Sequence, residues 1–387
     1  MSEWKEYKLG ELAIEGKGSY GIAATAVDFD INKYTYLRIT DINDDGTINK
    51  NSLKSVDDIN ASNYLLKPND IVFARTGASV GRSYFYDGKD GELVYAGFLI
   101  KFSLNPDKVN PKILKYYTHS QPYYDWVVSV DNGATRGNVN AQIYASMPII
   151  LPSRNMQDEI VSILSSLDDK IDLLHRENTT LEAMAETLFR QWFIEEAKED
   201  EVCLGDVIKT TSGGTPSRQV EKYYCNGNIY WVKSKELHHS YILETEEKIT
   251  KEAMSNSSAK ILPENTVLIA MYGATVGEYA IIAESMTCNQ AICALIPNEN
   301  YPYTYLYIWA KFMQEEFINL ACGAAQQNIS QELIKKQVVS RNLYLIKEYH
   351  KKMQSSFDKM KLNQKEIKNL ILLRDNLTKS LFESKYE

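Results

Sequence analysis

Two glycine-framed segments hold most of the residues whose types and spacing suit chemistry. Gly77-Ala78-Ser79-Val80-Gly81-Arg82-Ser83 superficially matches a phosphate-binding loop. Such a loop needs G-x-x-x-x-G-K-[ST], so that backbone N–H groups cradle phosphates and a lysine neutralises them. Here the second glycine comes one residue early and Arg82 stands where the lysine belongs. A second copy, Gly273-Ala274-Thr275-Val276-Gly277, runs on into Glu278-Tyr279. The pattern therefore argues against a nucleotide site and leaves a tight turn that carries backbone close to a partner.

The side chains around these turns suit recognition of base edges. Arginine is the usual bidentate reader of guanine O6 and N7, and asparagine or glutamine of adenine N6 and N7. Arg75, Thr76 and Arg82 surround the first turn, and Tyr272 and Thr275 the second. Two further segments, Thr135-Arg136-Gly137-Asn138-Val139-Asn140 and Gln326-Gln327-Asn328-Ile329-Ser330, are rich in the same types. The candidate contacts are Arg38, Arg75, Thr76, Arg82, Arg136, Asn138 and Asn140 in the first half, and Lys233, Lys235, Tyr272, Gln327 and Asn328 in the second. For any one of them, capping a turn is the competing role.

Catalytic and metal signatures do not accompany these readers. The five histidines show no H-E-x-x-H spacing, and the five cysteines, all in the second half, show no C-x-x-C pair. There is no G-x-S-x-G elbow, and no Asn-Pro-Pro-aromatic tetrapeptide of the kind an adenine methyltransferase uses to hold a flipped base. No catalytic residue, no metal ligand and no cofactor are expected of this chain. A free-standing methyltransferase or nuclease is disfavoured for the same reasons.

The elements that position the readers come in duplicate. Leu9-Gly10-Glu11 returns as Leu204-Gly205-Asp206, Tyr36-Leu37-Arg38 is answered by Trp231-Val232-Lys233, and each glycine turn follows a strand-like run, Asp70 to Ala74 and Thr266 to Ala270. The blocks keep their order, so two similar globular units are predicted. Each unit is followed by a helical stripe. From Ile160 the positions Leu164, Leu167, Ile171, Leu174, Asn178, Leu181, Ala185, Leu188 and Trp192 alternate by fours and threes, a heptad seam with one polar member. A helix over 157–193 would be about 55 Å long at about 1.5 Å per residue, and it needs a partner for its apolar stripe.

The C-terminal segment offers that partner through Ile346, Met353, Phe357, Met360, Ile367, Leu370, Leu373, Leu377 and Leu381. Charge supports the pairing. The chain is at net −8, yet residues 1–150 carry 16 basic and 18 acidic groups and residues 201–345 carry 12 and 15, so the globular units are nearly neutral. The first helical segment, 151–200, carries 5 basic and 12 acidic groups, and the second, 346–387, carries 10 and 6. An intramolecular antiparallel pair is predicted, with Asn178 fixing its register; an intermolecular coiled-coil dimer is the alternative. No apolar run reaches the 18 or so residues of a membrane span, and the N-terminus lacks a signal-peptide core, so the protein is expected in the cytoplasm and away from membranes.

With these residues in place, the chain resembles the specificity subunits of type I restriction-modification systems. The resemblance rests on Leu151-Pro152 leading through Gln157 to Ile160, on Leu167-Asp168-Asp169-Lys170-Ile171, on Leu188-Phe189, on Leu373-Arg374 to Leu381-Phe382, and on the two glycine turns. Met156-Gln157 stands where the family commonly has Glu-Gln, and Val339 to Tyr344 lacks a proline before the second helix.

The resemblance implies an α+β chain with a target-recognition domain at 1–150, a central helical spacer at 151–197, a second recognition domain at 198–345 and a distal spacer at 346–387. The two helices would lie antiparallel as a coiled coil, with a seam of Ile160, Leu164, Leu167, Ile171, Leu174, Asn178, Leu181 and Leu188 against Phe357, Met360, Ile367, Leu377 and Leu381. It further implies a noncatalytic subunit that reads a bipartite site on double-stranded DNA. Its partners would be two adenine methyltransferase subunits and restriction or translocase subunits. S-adenosylmethionine, ATP and Mg would belong to those partners. The competing function is a coiled-coil adaptor that joins proteins and does not bind DNA.

Overall fold

The computed structural model describes residues 4–133, 138–195, 200–322 and 327–383. The chain forms two compact units, one from Met1–Lys170 with Leu370–Glu387 and the other from Ile171–Asn369. Arg136 lies outside the described residues.

In unit 1 the apolar run Ile71 to Ala74, with Asp70 ahead of it, becomes the central strand, Asp70–Ala74, of an antiparallel sheet. Strands Leu99–Ser103 and Ser83–Tyr86 flank it, with Ser19–Tyr20 beyond the former. Side chains of a strand alternate between faces, and here the two faces serve different cores. Ile71 and Phe73 pack with Phe102, Tyr123, Tyr144, Ile160 and Leu164, while Val72 and Ala74 pack with Leu37, Tyr84 and Leu93. A second four-stranded sheet of Ala26–Asp28, Lys54–Val56, Thr35–Leu37 and Leu93–Tyr95 lies on the latter side.

Unit 2 repeats the plan. Val267–Ala270 is flanked by Ile292–Ile296 and Tyr279–Ile282, and again the alternation splits two cores: Val267 and Ile269 on one side, Leu268 and Ala270 on the other. Lys209–Ser212 on one edge and a parallel strand, Tyr241–Ile242, on the other extend this sheet to five. Each unit also closes its chain in the same way. Lys5–Lys8 pairs with Pro148–Leu151, directly ahead of one long helix, and Glu201–Cys203 pairs with Val338–Ser340, directly ahead of the other.

The central helix runs Arg154–Arg190 and the distal helix Leu343–Glu383. Within unit 2 the Tyr349 hydroxyl donates to the Ala185 carbonyl at 3.0 Å, and the Asn363 amide donates to Asn178 Oδ1 at 2.9 Å. Within unit 1 Arg374 reaches Asp168 at 3.1 Å. Partner numbers rise on one helix as they fall on the other, so the helices are antiparallel. Ile160, Leu164, Leu174, Phe357, Met360 and Ile367 are buried, and Leu167, Ile171, Leu181, Leu188, Leu377 and Leu381 are half-buried.

Two seam positions differ from the sequence pattern. Leu373 is exposed, because Arg374 takes the inward position and meets Asp168. Past Leu181 the buried residues are Ala185, Phe189 and Phe193, at steps of four rather than alternating three and four. Steps of four drift around a helix of 3.6 residues per turn, and they widen the contact line from Tyr349 of the distal helix to Tyr305 and Phe312 of the unit 2 core. Asn178 has the polar partner that a register-fixing role needs, namely Asn363, which is fully buried and also donates to Glu177 at 2.9 Å.

Candidate nucleic-acid interface

Each glycine turn is a short 3-10 turn, Gly77–Ser79 or Gly273–Thr275, between two strands of the main sheet. The copies share their backbone bonding. Val80 donates to the Gly77 carbonyl and Val276 to that of Gly273, both at 3.1 Å, and Gly81 donates to Ala74 at 3.2 Å as Gly277 does to Ala270 at 3.0 Å. Gly77 and Gly81 have φ of +70° and +85°, and Gly273 and Gly277 of +69° and +84°, a region that strains residues bearing a Cβ.

Space separates the members of the first pair. A Cβ at Gly77 would meet nothing within 4 Å, whereas one at Gly81 would lie 2.7 Å from Val127 Cγ1. Gly77→Ala should therefore cost only the backbone strain, about 1 kcal/mol. Gly81→Ala should cost about 2 kcal/mol, because overpacking adds to it. Denaturant titration of both variants checks the ordering, and equal costs would contradict it.

The structure brings the other repeated segment beside each turn. Thr76 bridges to Asn138 and Tyr272 to Asn328 as isolated antiparallel pairs. Val139 donates to the Arg75 carbonyl and Ile329 to that of Met271, both at 2.9 Å. Beyond them, Asn140 caps the helix Ala141–Ala145, its Oδ1 accepting from the N–H groups of Gln142 and Ile143 at 2.9 Å, and Ser330 caps Gln331–Lys335 in the same manner. Asn140 thus has a structural task that its residue type also explains. Gln327 is exposed, and its carbonyl accepts from Gly273 N–H at 3.0 Å. Tyr272 is exposed at the position that Thr76 holds in unit 1.

The cations divide sharply. Arg38 donates to both carboxylate oxygens of the fully buried Asp41, at 2.9 and 2.6 Å, and to the Ser52 carbonyl at 2.9 Å; the Asp41 bond raises its pKa. Arg82 holds Asp44 at 2.7 Å and the Ile42 carbonyl at 3.1 Å. Lys233 contacts Glu246 and Glu247, both at 2.8 Å. Burial pulls its pKa down, but those two bonds more than offset the burial and leave it raised. Glu247 is held at about 2 by hydrogen bonds from Arg218 and Lys233. Lys235 reaches Glu246 at 2.7 Å. A phosphate approaching any of these four cations must share it with a carboxylate.

Arg75 is placed differently. Its Nε and Nη2 donate to Asn138 Oδ1 at 3.2 and 3.1 Å, and its guanidinium carbon lies 4.8 Å from the centroid of the Tyr20 ring. The Tyr20 hydroxyl accepts from Ala141 N–H at 3.1 Å, and the Arg75 N–H donates to the Phe98 carbonyl at 3.1 Å. Phe98 is exposed. Sequence reasoning did not single out Tyr20 or Phe98. Pairing of Leu99–Ser103 with Asp70–Ala74 brings Phe98 to Arg75, and pairing of Ser19–Tyr20 with Leu99–Ser103 brings Tyr20 there. Among the described residues no group of three or more His, Cys, Asp or Glu is arranged to hold a metal ion. No described helix is long and apolar enough to cross a membrane.

Comparison with known proteins fits this duplicated architecture. The chain is 22% identical to the specificity subunit of the type I restriction enzyme HindI of Haemophilus influenzae, over 97% of this chain and 98% of that protein. It is 30% identical to the EcoR124I/EcoR124II specificity subunit of Escherichia coli over 51% of each chain. The crystal structure of the type I restriction-modification S subunit from M. genitalium shares the fold, with a TM-score of 0.59 at 15% identity, over 98% of this chain and 96% of that one. The family model described as the type I restriction modification DNA specificity domain matches twice, at residues 1–183 and 196–371. One match falls on each copy of the glycine turn, and the chain belongs to the family of type I restriction-modification specificity subunits.

Proposed function

We propose that this chain reads a bipartite site on double-stranded DNA, each recognition unit reading one half, and that it does so as the noncatalytic member of a cytoplasmic complex. The observation that carries the reading is the pair of loops in each unit: the same backbone frame presents Arg75, Thr76 and Asn138 in one copy and Tyr272, Gln327 and Asn328 in the other. A shared frame with unlike side chains suits recognition of two unlike short sequences. Two adenine methyltransferase subunits dock on the chain, restriction or translocase subunits join them, and S-adenosylmethionine, ATP and Mg reside in those partners.

The helices support docking of protein. In unit 2, Leu173 and Met184 are exposed on the central helix eleven residues apart, close to three helical turns, and so share a face. Leu362 is exposed on the distal helix. Exposed aliphatic side chains on these helices suit contact with protein.

Binding of the chain, assembled with its methyltransferase subunits, to duplex DNA tests the reading. Log affinity should fall linearly with log salt, because phosphate contacts release counterions, and one bipartite sequence should compete far better than scrambled duplexes. A complex that assembles but shows no salt-sensitive DNA binding would identify a protein adaptor instead.

A further inference from the structure

We propose that Arg75 reads a guanine in the half-site of unit 1, with Tyr20 and Asn138 as the residues that aim it. The inference rests on the DNA-reading function above and narrows it to one base and one side chain.

Of the described cations singled out by sequence, Arg38, Arg82, Lys233 and Lys235 each hold a carboxylate, and Arg75 holds none. Its guanidinium is nevertheless fixed. Tyr20 lies against its face at 4.8 Å, and a single acceptor, Asn138 Oδ1, takes Nε and Nη2 along one edge. An arginine has five N–H donors in a planar fork, so this arrangement leaves three: two on Nη1 and one on Nη2. One of them on each terminal nitrogen points along the end of the fork, where two adjacent acceptors fit.

Guanine O6 and N7 in the major groove are such a pair. Two phosphate oxygens would fit the same fork, and two observations favour the base. A contact that only supplies charge to a phosphate needs no fixed plane, and lysine serves as such a point charge, whereas an aromatic platform and a side-chain acceptor both restrict the plane of this guanidinium. Phosphate contacts that merely seat the protein would also suit both units alike. In unit 2 the position equivalent to Arg75 holds Met271, which is buried and directs its backbone carbonyl to Ile329. The cation therefore distinguishes the halves.

The test uses the chain assembled with its methyltransferase subunits. Mapping modified adenines in host DNA gives the bipartite sequence, and duplexes carrying single-base changes then give affinities. One guanine should show a loss of roughly 5- to 150-fold on replacement, the worth of a bidentate pair. Replacing that guanine by 7-deazaguanine, which lacks the N7 acceptor, should weaken the wild-type complex and leave the Arg75→Ala complex unchanged. Tyr20→Leu should reduce discrimination at the same base and at no other.

Uniform weakening of every duplex by Arg75→Ala would make it a phosphate contact and overturn the proposal. So would a half-site with no guanine sensitive to loss of N7, a result the wild-type complex gives even if the variant fails to assemble. In both cases a wild-type complex that still prefers one bipartite sequence keeps the DNA-reading function. A wild-type complex without sequence preference would remove both.

Discussion

Phe189→Ala should lower the unfolding free energy by about 3–5 kcal/mol, the usual cost of emptying a buried aromatic site. Phe189 is almost fully buried, and its ring lies 4.9 Å from Phe193, 5.2 Å from Tyr305 and Phe312, and 5.8 Å from Tyr349. Those four rings come from the turn that ends the central helix, from the helix Tyr303–Cys322, which supplies two, and from the distal helix, so one side chain of the central helix joins both long helices to the core of unit 2. No single neighbour can move in to fill the space without leaving another. Denaturant titration gives the total cost. Amide exchange localises it: protection should fall in strand Tyr279–Ile282 and helix Tyr303–Cys322 and persist in strand Asp70–Ala74, whose core is separate. A loss under about 1 kcal/mol, or equal loss of protection in both strands, would show that Phe189 is not the junction described.

This junction also marks where the sequence ceased to be readable. The heptad seam of the first helix is legible because a helix facing one partner helix repeats its contacts every 3.5 residues. Beyond Leu181 the helix packs on a sheet-and-helix core as well as on the distal helix, and Phe189 and Phe193 are buried in place of Leu188. Leu373 fails for a related reason: an apolar residue fits the stripe on paper, but Arg374 buries its guanidinium toward Asp168 and turns Leu373 outward. Asn178 announced a polar layer, and Asn363, which completes it, holds the matching slot three residues after Met360 and four before Ile367, but as a polar residue it drops out of a stripe traced by apolar positions.

At the recognition surface, the internal repeat exposed the glycine frame, because φ near +70° in both copies restricts the choice of residue. The neighbours of Arg75 were invisible for the opposite reason. Tyr20 and Phe98 lie 55 and 23 positions away along the chain and meet Arg75 only through sheet pairing. In unit 2 Met271 stands in the place of Arg75, so the repeat offers no second copy of that arginine from which to infer them.

The ionic cluster around Asp168 gives the other large effect. Its carboxylate accepts from Lys115 at 2.7 Å, from the Tyr116 hydroxyl at 2.9 Å and from Arg374 at 3.1 Å, all within unit 1, and only 16% of its side-chain surface is exposed. Burial pushes its pKa up, but the two cations, Lys115 first, outweigh the burial and leave it below the ordinary carboxylate value. Removing the carboxylate takes one of two acidic partners from Arg374, which keeps Asp375 at 2.9 Å, and leaves the Tyr116 hydroxyl without this acceptor. Asp168→Ala should accordingly cost about 2 kcal/mol at neutral pH, the worth of a hydrogen-bonded charged group.

The pH dependence follows from the direction of the shift. A carboxyl group whose folded pKa is depressed contributes its full stabilisation above its unfolded value, about 3.9. That contribution is lost as pH falls through the lower folded value. The difference in unfolding free energy between wild type and Asp168→Asn should therefore be constant from about pH 7 to pH 5 and narrow below about pH 4. Neutral asparagine keeps the shape and a hydrogen-bonding oxygen, so this comparison isolates the charge. A difference that instead grew on acidification would mean that the folded carboxyl group is the weaker acid, and that burial rather than Lys115 and Arg374 sets its titration.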